Sequence, residues 1–211
     1  MKRNLRNHVI SLLISVMLFI VLACLLCFYP EFLINNDNHF LTVINTIVNP
    51  VLTMAMILIT QLGSPAIISV LFIIFIILTS YKSRKQLYLY GAYYFGTSAL
   101  GLLLKHLFMR SRPDHQLLLD TGFSFPSGHT LCILLFFLAF YHMMRAKETR
   151  SVVSKMSLIG FGVFTILVIF SRVYLRDHFP SDVMASLLLS VGAYSLLNIM
   201  EGAILPKPTA S

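Results

Sequence analysis

The chain has 211 residues, of which 57% are hydrophobic and only 11% charged, with a mean hydropathy of +0.83. Soluble domains carry about 25% charged residues, so this composition excludes an ordinary soluble fold and points to a membrane protein. The formal net charge of +8 then reads as basic cytoplasmic loops, not as a nucleic-acid surface.

A membrane-crossing helix needs about 20 apolar residues. Val9 to Phe28 meets that length and stops at Tyr29-Pro30. Val21-Leu22-Ala23-Cys24 faintly resembles a lipoprotein cleavage site, but the apolar stretch runs on through Phe28, which favours an uncleaved first helix. Glu31 to Ser64 holds no Lys or Arg, and its apolar part, Val51 to Leu62, is short and broken by Thr53, Thr60 and Gln61. One or two helices lying in the interface or packed on the bundle are expected there. Further spans are predicted at Pro65–Ser80, Leu87–Leu104, His129–Met144, Leu158–Phe170 (extending toward Lys155) and Asp182–Met200. The expected fold is all-α, a six-transmembrane-helix bundle with short interfacial helices between spans one and two. It forms a single domain over residues 1–211 without repeats or low-complexity linkers. Tyr88, Tyr90, Tyr93 and Tyr94 read as packing and interface anchors. Cys24, Cys27 and Cys132 all lie in apolar runs, an odd number that makes neither a disulfide framework nor a zinc spacing.

Charge orients these spans. Lys2, Arg3 and Arg6 precede the first, and Lys82, Arg84 and Lys85 separate the second from the third. Arg145, Lys147, Arg150 and Lys155 separate the fourth from the fifth, and Lys207 follows the sixth. The positive-inside rule makes these segments and both termini cytoplasmic. Lys105, Arg110, Arg112, Arg172 and Arg176 then face outward, against the rule, and satisfying an anion at the outer surface explains them.

Three clusters share that outer face. Lys105 and Arg112-Pro113 are seven positions apart, about two helical turns, so the two cations are expected on one helix face, at its end because Pro113 disfavours helix at Arg112. The plain alternative is complementing the helix dipole. Pro126-Ser127-Gly128-His129 opens the fourth span and offers a hydroxyl and free backbone N–H groups to an anion, although an ordinary N-cap accounts for Ser127 equally. Ser171-Arg172, His178 and Asp182 close the set. Pro180 suits the first turn of the sixth span, which places His178 just ahead of it and Asp182 within it. There Asp182 either favours the helix dipole or accepts one ring N–H of His178 and leaves the other nitrogen free. Together the clusters supply three fixed cations, an anion nest and two histidines, the equipment for phosphoryl transfer.

The pattern Lys105…Arg112-Pro113, Pro126-Ser127-Gly128-His129, Ser171-Arg172…His178…Asp182 resembles the three-part signature of the type-2 phosphatidic acid phosphatase (lipid phosphate phosphatase) superfamily. That superfamily includes bacterial phosphatidylglycerophosphate and undecaprenyl-pyrophosphate phosphatases, and every signature position is present. Ile59-Thr60-Gln61-Leu62-Gly63-Ser64 is similar, more loosely, to the family's segment before its second span. The resemblance implies that Lys105, Arg112, Arg172, Ser127 and Gly128 bind the phosphoryl oxygens and that His178 attacks phosphorus. It further implies that Asp182 orients His178, and that His129 protonates the leaving lipid oxygen and later activates water. No metal and no cofactor is implied, because the fixed cations take that role.

Arg110, His115 and Arg176 are expected as solvated loop residues or contacts to a second phosphate, and His106 as a packing residue. His8, His39 and His142 require no functional account, and Leu117-Leu118-Leu119 either guides a lipid chain or packs at the interface. The expected partners are a lipid phosphate substrate and membrane lipids, not nucleic acid. Undecaprenyl pyrophosphate is favoured on small size and an outward site, with phosphatidylglycerophosphate and phosphatidate next. The alternative of another class is a non-catalytic lipid-phosphate binding protein or transporter, which needs only the cations and not His178, Asp182 and His129. The resemblance extends to soluble vanadium haloperoxidases, which share the site, but that activity is disfavoured because those proteins are soluble and much larger.

Overall fold

The computed structural model describes residues 2–146 and 151–204. Lys147, Arg150 and Lys207, assigned above to cytoplasmic segments, lie outside the described residues. Within them all the regular secondary structure is helical. It runs through α1 (Lys2–Phe28), α2 (Pro30–Asn45), α3 (Pro50–Leu62), α4 (Pro65–Ser80) and α5 (Arg84–Gly91). A π-helical turn (Ala92–Gly96) leads into α6 (Thr97–Phe108), followed by α7 (Gly128–Ala146), α8 (Val152–Tyr174) and α9 (Pro180–Ile204).

Proline and polar caps punctuate the chain. Pro30, Pro50, Pro65 and Pro180 each stand at the start of a helix, where a missing N–H costs nothing. Asn49, Ser64, Ser83 and Ser151 cap α3, α4, α5 and α8 by accepting from the backbone N–H three residues on.

Among the described residues, four stretches are long and apolar enough to cross a membrane: Leu5–Phe28, Gly128–Arg145, Val152–Tyr174 and Pro180–Ile204. The chain is therefore a multi-pass membrane protein. α3 and α4 meet at 44° across Gly63-Ser64 and together make up to a fifth, broken span. Val51–Leu62 falls on α3, which packs on α8 and also forms the first limb of this bent pair. The expected third span, Leu87–Leu104, falls on the run through α5, the π turn and α6, segments of 8, 5 and 12 residues that are individually too short.

α7 is the central helix, packed against α4, α6, α8 and α9. Its Leu131, Ile133, Leu135 and Phe136 join Phe72, Tyr94, Val168 and Leu197 in the main core. Tyr94 stacks on Phe72 at 4.0 Å and Tyr93 donates to the Leu135 carbonyl at 3.1 Å. Tyr90, Tyr93 and Tyr94 are buried, whereas Tyr88 is exposed, which divides the four tyrosines between packing and surface. α1 lies outside the core along α9, where a Cβ at Gly192 would stand 2.9 Å from Ser15 Oγ and force that hydroxyl to shift, so glycine favours this close approach. All three cysteines are free.

The two ends of the bundle differ in chemistry. At one end His142 pairs with Glu201 at 2.6 Å, and the His8–Tyr194 and Tyr90–His142 ring contacts bring in α1 and α5. The described basic residues Arg6, Lys82, Arg84, Lys85 and Arg145 belong to the helix termini at this end. At the other end, α6 and α8 finish and α7 and α9 begin. α2 and α3 cover that end with a second core, in which Leu41, Ile44 and Met56 pack on Val173, Tyr174, Leu175 and Phe179.

Candidate active site

The covered end brings the three clusters together. Its centre is His178, 1% exposed, in the short loop between α8 and α9. Its Nδ1 lies 3.5 Å from Asp182 Oδ2, and its Nε2 lies 3.3 Å from Arg112 Nη1. A guanidinium has only donors, so Nε2 holds the lone pair and the ring proton sits on Nδ1, facing Asp182. Burial, reinforced by Arg172, Lys105 and Arg112 and opposed by Asp120, holds the His178 pKa well below its ordinary value. The imidazole is therefore neutral, with a free lone pair among cations. The 3.5 Å gap to Asp182 is long for a hydrogen bond, as expected where no charge has yet developed on the ring.

Asp182 is fixed from three directions. Pro180 starts α9, so Asp182 falls in its first turn. Its Oδ2 accepts from the Phe179 N–H at 2.9 Å, and its Oδ1 accepts from Arg110 Nη1 at 2.6 Å. Arg110 in turn reaches Asp37 Oδ2 on α2 at 2.7 Å and lies 4.2 Å over the Phe179 ring. Asp37 also accepts from the Ser181 backbone N–H and hydroxyl. Arg110 is thus buried with both terminal nitrogens engaged by Asp182, Ser181 and Asp37, neither solvated nor open to a second phosphate. His115 is exposed and Arg176 half-buried, and among the described residues neither bonds to the site.

The cations reach the centre by different routes. Arg172 ends α8 fully buried, donating to Thr60 Oγ1 on α3 and to Asp120 Oδ2 at 2.8 Å, with Asp177 at 3.1 Å. Lys105 ends α6 and donates to the Phe123 carbonyl. Arg112 does not share a helix face with it: α6 stops at Phe108, and Met109 takes a left-handed φ of 46°. The loop instead carries Arg112 inward, where it donates to the carbonyls of Thr121, Gly122 and Asp177. Helical spacing therefore does not set how Lys105 and Arg112 reach the site.

Ser127 is buried ahead of α7, with its hydroxyl 3.5 Å from the Thr130 N–H, a loose cap. A Cβ at Gly128 would meet only Pro65 Cγ at 3.9 Å, so packing does not demand glycine and the open side faces an adjoining cleft. That cleft, about 400 Å³, runs between α4, α6 and α7 past Ser69, Gly101, Leu102 and Leu131, with Lys105 and Gly128 at its polar end. His129, half-buried in the first turn of α7, makes no side-chain hydrogen bond among the described residues. His106 is exposed, edge-on to Phe123, and of the three leucines Leu119 projects (90% exposed) while Leu118 packs on the second core.

Four site residues escaped the sequence reading: Asp37, Thr60, Asp120 and Asp177. Asp37 carried the best signal, an acidic residue in a helix without basic neighbours. The Asp120 and Asp177 carboxylates behave oppositely. Burial pushes Asp177 up to about 6 despite Arg172 beside it. At Asp120 burial also acts upward, but Arg112 and Arg172 outweigh it and hold the carboxyl below its usual range. Among the described residues no group of three or more His, Cys, Asp or Glu is placed to hold a metal ion.

Known proteins place this arrangement. Residues 86–202 match the PAP2 superfamily. The chain is 34% identical over 71 residues to phosphatidylglycerophosphatase B of Haemophilus influenzae, covering 34% of this chain and 30% of that protein. It is 36% identical over 106 residues to phosphatidylglycerophosphatase B of Bacillus subtilis, covering 49% of this chain and 52% of that protein. The matched segments thus span well under two thirds of either relative. The crystal structure of a transmembrane PAP2-type phosphatidylglycerolphosphate phosphatase from Bacillus subtilis superposes with a TM-score of 0.77 at 27% identity, over 92% of this chain and 97% of that one. The matched region contains every signature residue from Lys105 to Asp182, and the chain belongs to the PAP2 superfamily.

Proposed function

We propose that the chain is a metal-independent membrane phosphatase that removes the terminal phosphate of a lipid phosphate through a phosphohistidine intermediate. The observation that carries this reading is the contact between His178 Nε2 and Arg112 Nη1 at 3.3 Å, which sets a neutral, lone-pair-bearing nitrogen beside a phosphate-binding cation. A binding protein or transporter needs the cations but has no use for a nucleophile oriented in this way.

In the proposed reaction Lys105, Arg112 and Arg172, with the Ser127 hydroxyl and the Gly128 N–H, hold the phosphoryl oxygens. His178 Nε2 forms the P–N bond as the P–O bond to the lipid breaks in line. Asp182 stabilises the imidazolium that develops, and its attachment to Arg110 and Phe179 N–H keeps it from following the charge. His129, without a side-chain hydrogen bond among the described residues, is protonated as the phosphate anion binds beside it and gives that proton to the leaving lipid oxygen. It then takes one from the water that cleaves phosphohistidine to inorganic phosphate. Fixed cations neutralise the transferring group, the work a divalent ion does in other phosphoryl-transfer enzymes.

The apolar cleft ending at Lys105 and Gly128 supports a lipid substrate, because it admits a chain beside α4 and α6 while the head group meets the cations. Phosphatidylglycerophosphate is the first candidate, in keeping with the names of both relatives; undecaprenyl pyrophosphate and phosphatidate are the others. The topology proposed has six spans, with the bent pair and the α5–α6 run supplying the two beyond the four long helices. Both termini are cytoplasmic and the site faces outward, a reading supported by the basic residues at the opposite end.

The test is phosphate release by the purified protein in detergent from phosphatidylglycerophosphate, undecaprenyl pyrophosphate, phosphatidate and lysophosphatidate, with and without EDTA. Release from at least one lipid, unchanged by EDTA, is expected. Tight binding without release from any of them selects the binding-protein reading, and strict dependence on a divalent ion removes the proposed chemistry.

A further inference from the structure

We propose that Asp120 is a resident anion that the substrate's phosphoryl group displaces, and that its return expels inorganic phosphate at the end of each turnover. This rests on the assignment of Arg112 and Arg172 as phosphate-binding residues. A single oxygen, Asp120 Oδ2, lies 2.8 Å from Arg172 Nη2 and 3.2 Å from Arg112 Nη1. The same Arg112 Nη1 is 3.3 Å from His178 Nε2. A phosphoryl oxygen in line for attack by His178 needs that seat, so Asp120 and substrate exclude one another.

The surroundings suit exchange. Two carboxylates face Arg172, and they differ in freedom. Asp177 is wholly buried in the turn that presents His178 and has no route to water. The Asp120 side chain is 31% exposed, at the mouth of the site. It sits on the long loop between α6 and α7, where its backbone N–H donates to Gln116 Oε1 and its own carboxylate Oδ1 accepts from the Thr121 N–H. Swinging outward therefore requires the carboxylate to leave the two arginines and to pivot about, or give up, its bond to the adjacent Thr121 N–H. Between turnovers, two guanidiniums close to a buried imidazole require a counter-charge, because unpaired ions in a dry site are costly. Trading carboxylate for phosphate keeps that charge nearly constant, and it lowers apparent phosphate affinity by the fraction of molecules in which Asp120 is out. Product release gains from the competition.

The experiment measures binding of inorganic phosphate to the full-length protein in detergent, by calorimetry and by inhibition of turnover. Wild type is compared with Asp120→Asn, which keeps the shape and removes the charge, and with Asp120→Glu, which keeps the charge. Asp120→Asn is expected to bind phosphate about tenfold more tightly or better. Its kcat should fall as release becomes slow, and Asp120→Glu, which keeps the competing charge, should bind phosphate with about the wild-type affinity. Unchanged or weaker phosphate binding by Asp120→Asn overturns the proposal, as does equal tightening by Asp120→Glu. If Asp120→Asn is not monodisperse, Asp120→Ala is read in its place by the same criterion. The two proposals fail separately. Hydrolysis of a lipid without tightening in Asp120→Asn removes the exchange alone. Tightening in a protein that hydrolyses no lipid removes the phosphatase reading alone.

Discussion

Replacing His178 with alanine should lower lipid-phosphate hydrolysis by about four to six orders of magnitude, the range seen when a covalent nucleophile is deleted from an enzyme that otherwise keeps its binding site. The expectation follows from position. His178 is fully buried beneath the arginines, with its lone pair directed toward them and its proton toward Asp182, and no second imidazole occupies that place. Because Arg112 and Arg172 are held by Thr121, Gly122, Asp177 and Thr60 rather than by His178 alone, the variant should still bind inorganic phosphate. Quenching turnover of a 32P-labelled lipid phosphate under alkaline conditions should trap an acid-labile phosphoenzyme in wild type and none in His178→Ala. His129→Ala separates the two histidines. With an aryl phosphate, whose leaving group needs no proton, it should form the phosphoenzyme and then stall for want of a base. Near-wild-type phosphate release from His178→Ala, or a phosphoenzyme surviving in it, would end the covalent mechanism.

The parts of this molecule legible in the sequence are those written in local physics. α4 runs from Pro65 to Ser80 as expected, because a capping Ser64, a proline and an unbroken apolar stretch coincide. α8 is longer than its apolar centre at both ends, Val152–Tyr174 rather than Leu158–Phe170, because Ser154, Lys155, Ser171 and Arg172 lower hydropathy without breaking the helix. Arg172 is also where the helix ceases to answer to lipid and answers to the site, paired with Asp120 and Asp177. The signature residues were legible because five cations on the wrong side of the expected topology ask for an explanation. Their carboxylate partners were not, because an Asp in a loop is ordinarily solvated. Asp37 meets Ser181 across 144 residues of chain, and only the packing of α2 on the start of α9 makes that pair. The Arg112 expectation shows the limit most clearly: the residue is at the site, yet a left-handed turn at Met109 and a loop bring it there.

Arg110→Met should be the most destabilising single change at the site, by about 3–5 kcal/mol, the usual cost of removing one partner from a buried ion pair. Arg110 Nη1 and Nη2 are 2.6 Å from Asp182 and 2.7 Å from Asp37, and the side chains of all three are at most 5% exposed. Methionine fills the volume over the Phe179 ring but leaves two carboxylates buried without a counter-ion, and one of them orients His178. Thermal unfolding in detergent should register the loss. kcat should fall with it, while phosphate affinity changes little, since Arg110 does not face the phosphoryl seat. Coupling decides whether charge is the cause. Adding Asp37→Asn to Arg110→Met removes one of the stranded carboxylates and should recover part of the stability, whereas Asp37→Asn alone should destabilise. Arg110→Lys should fall between, because one ammonium lacks the fork that spans both carboxylates. If Arg110→Met unfolds at the wild-type temperature, the Asp37–Arg110–Asp182 bridge does not hold α2 to α9. The fixed position of Asp182 then has to come from the Phe179 N–H and the first turn of α9 alone.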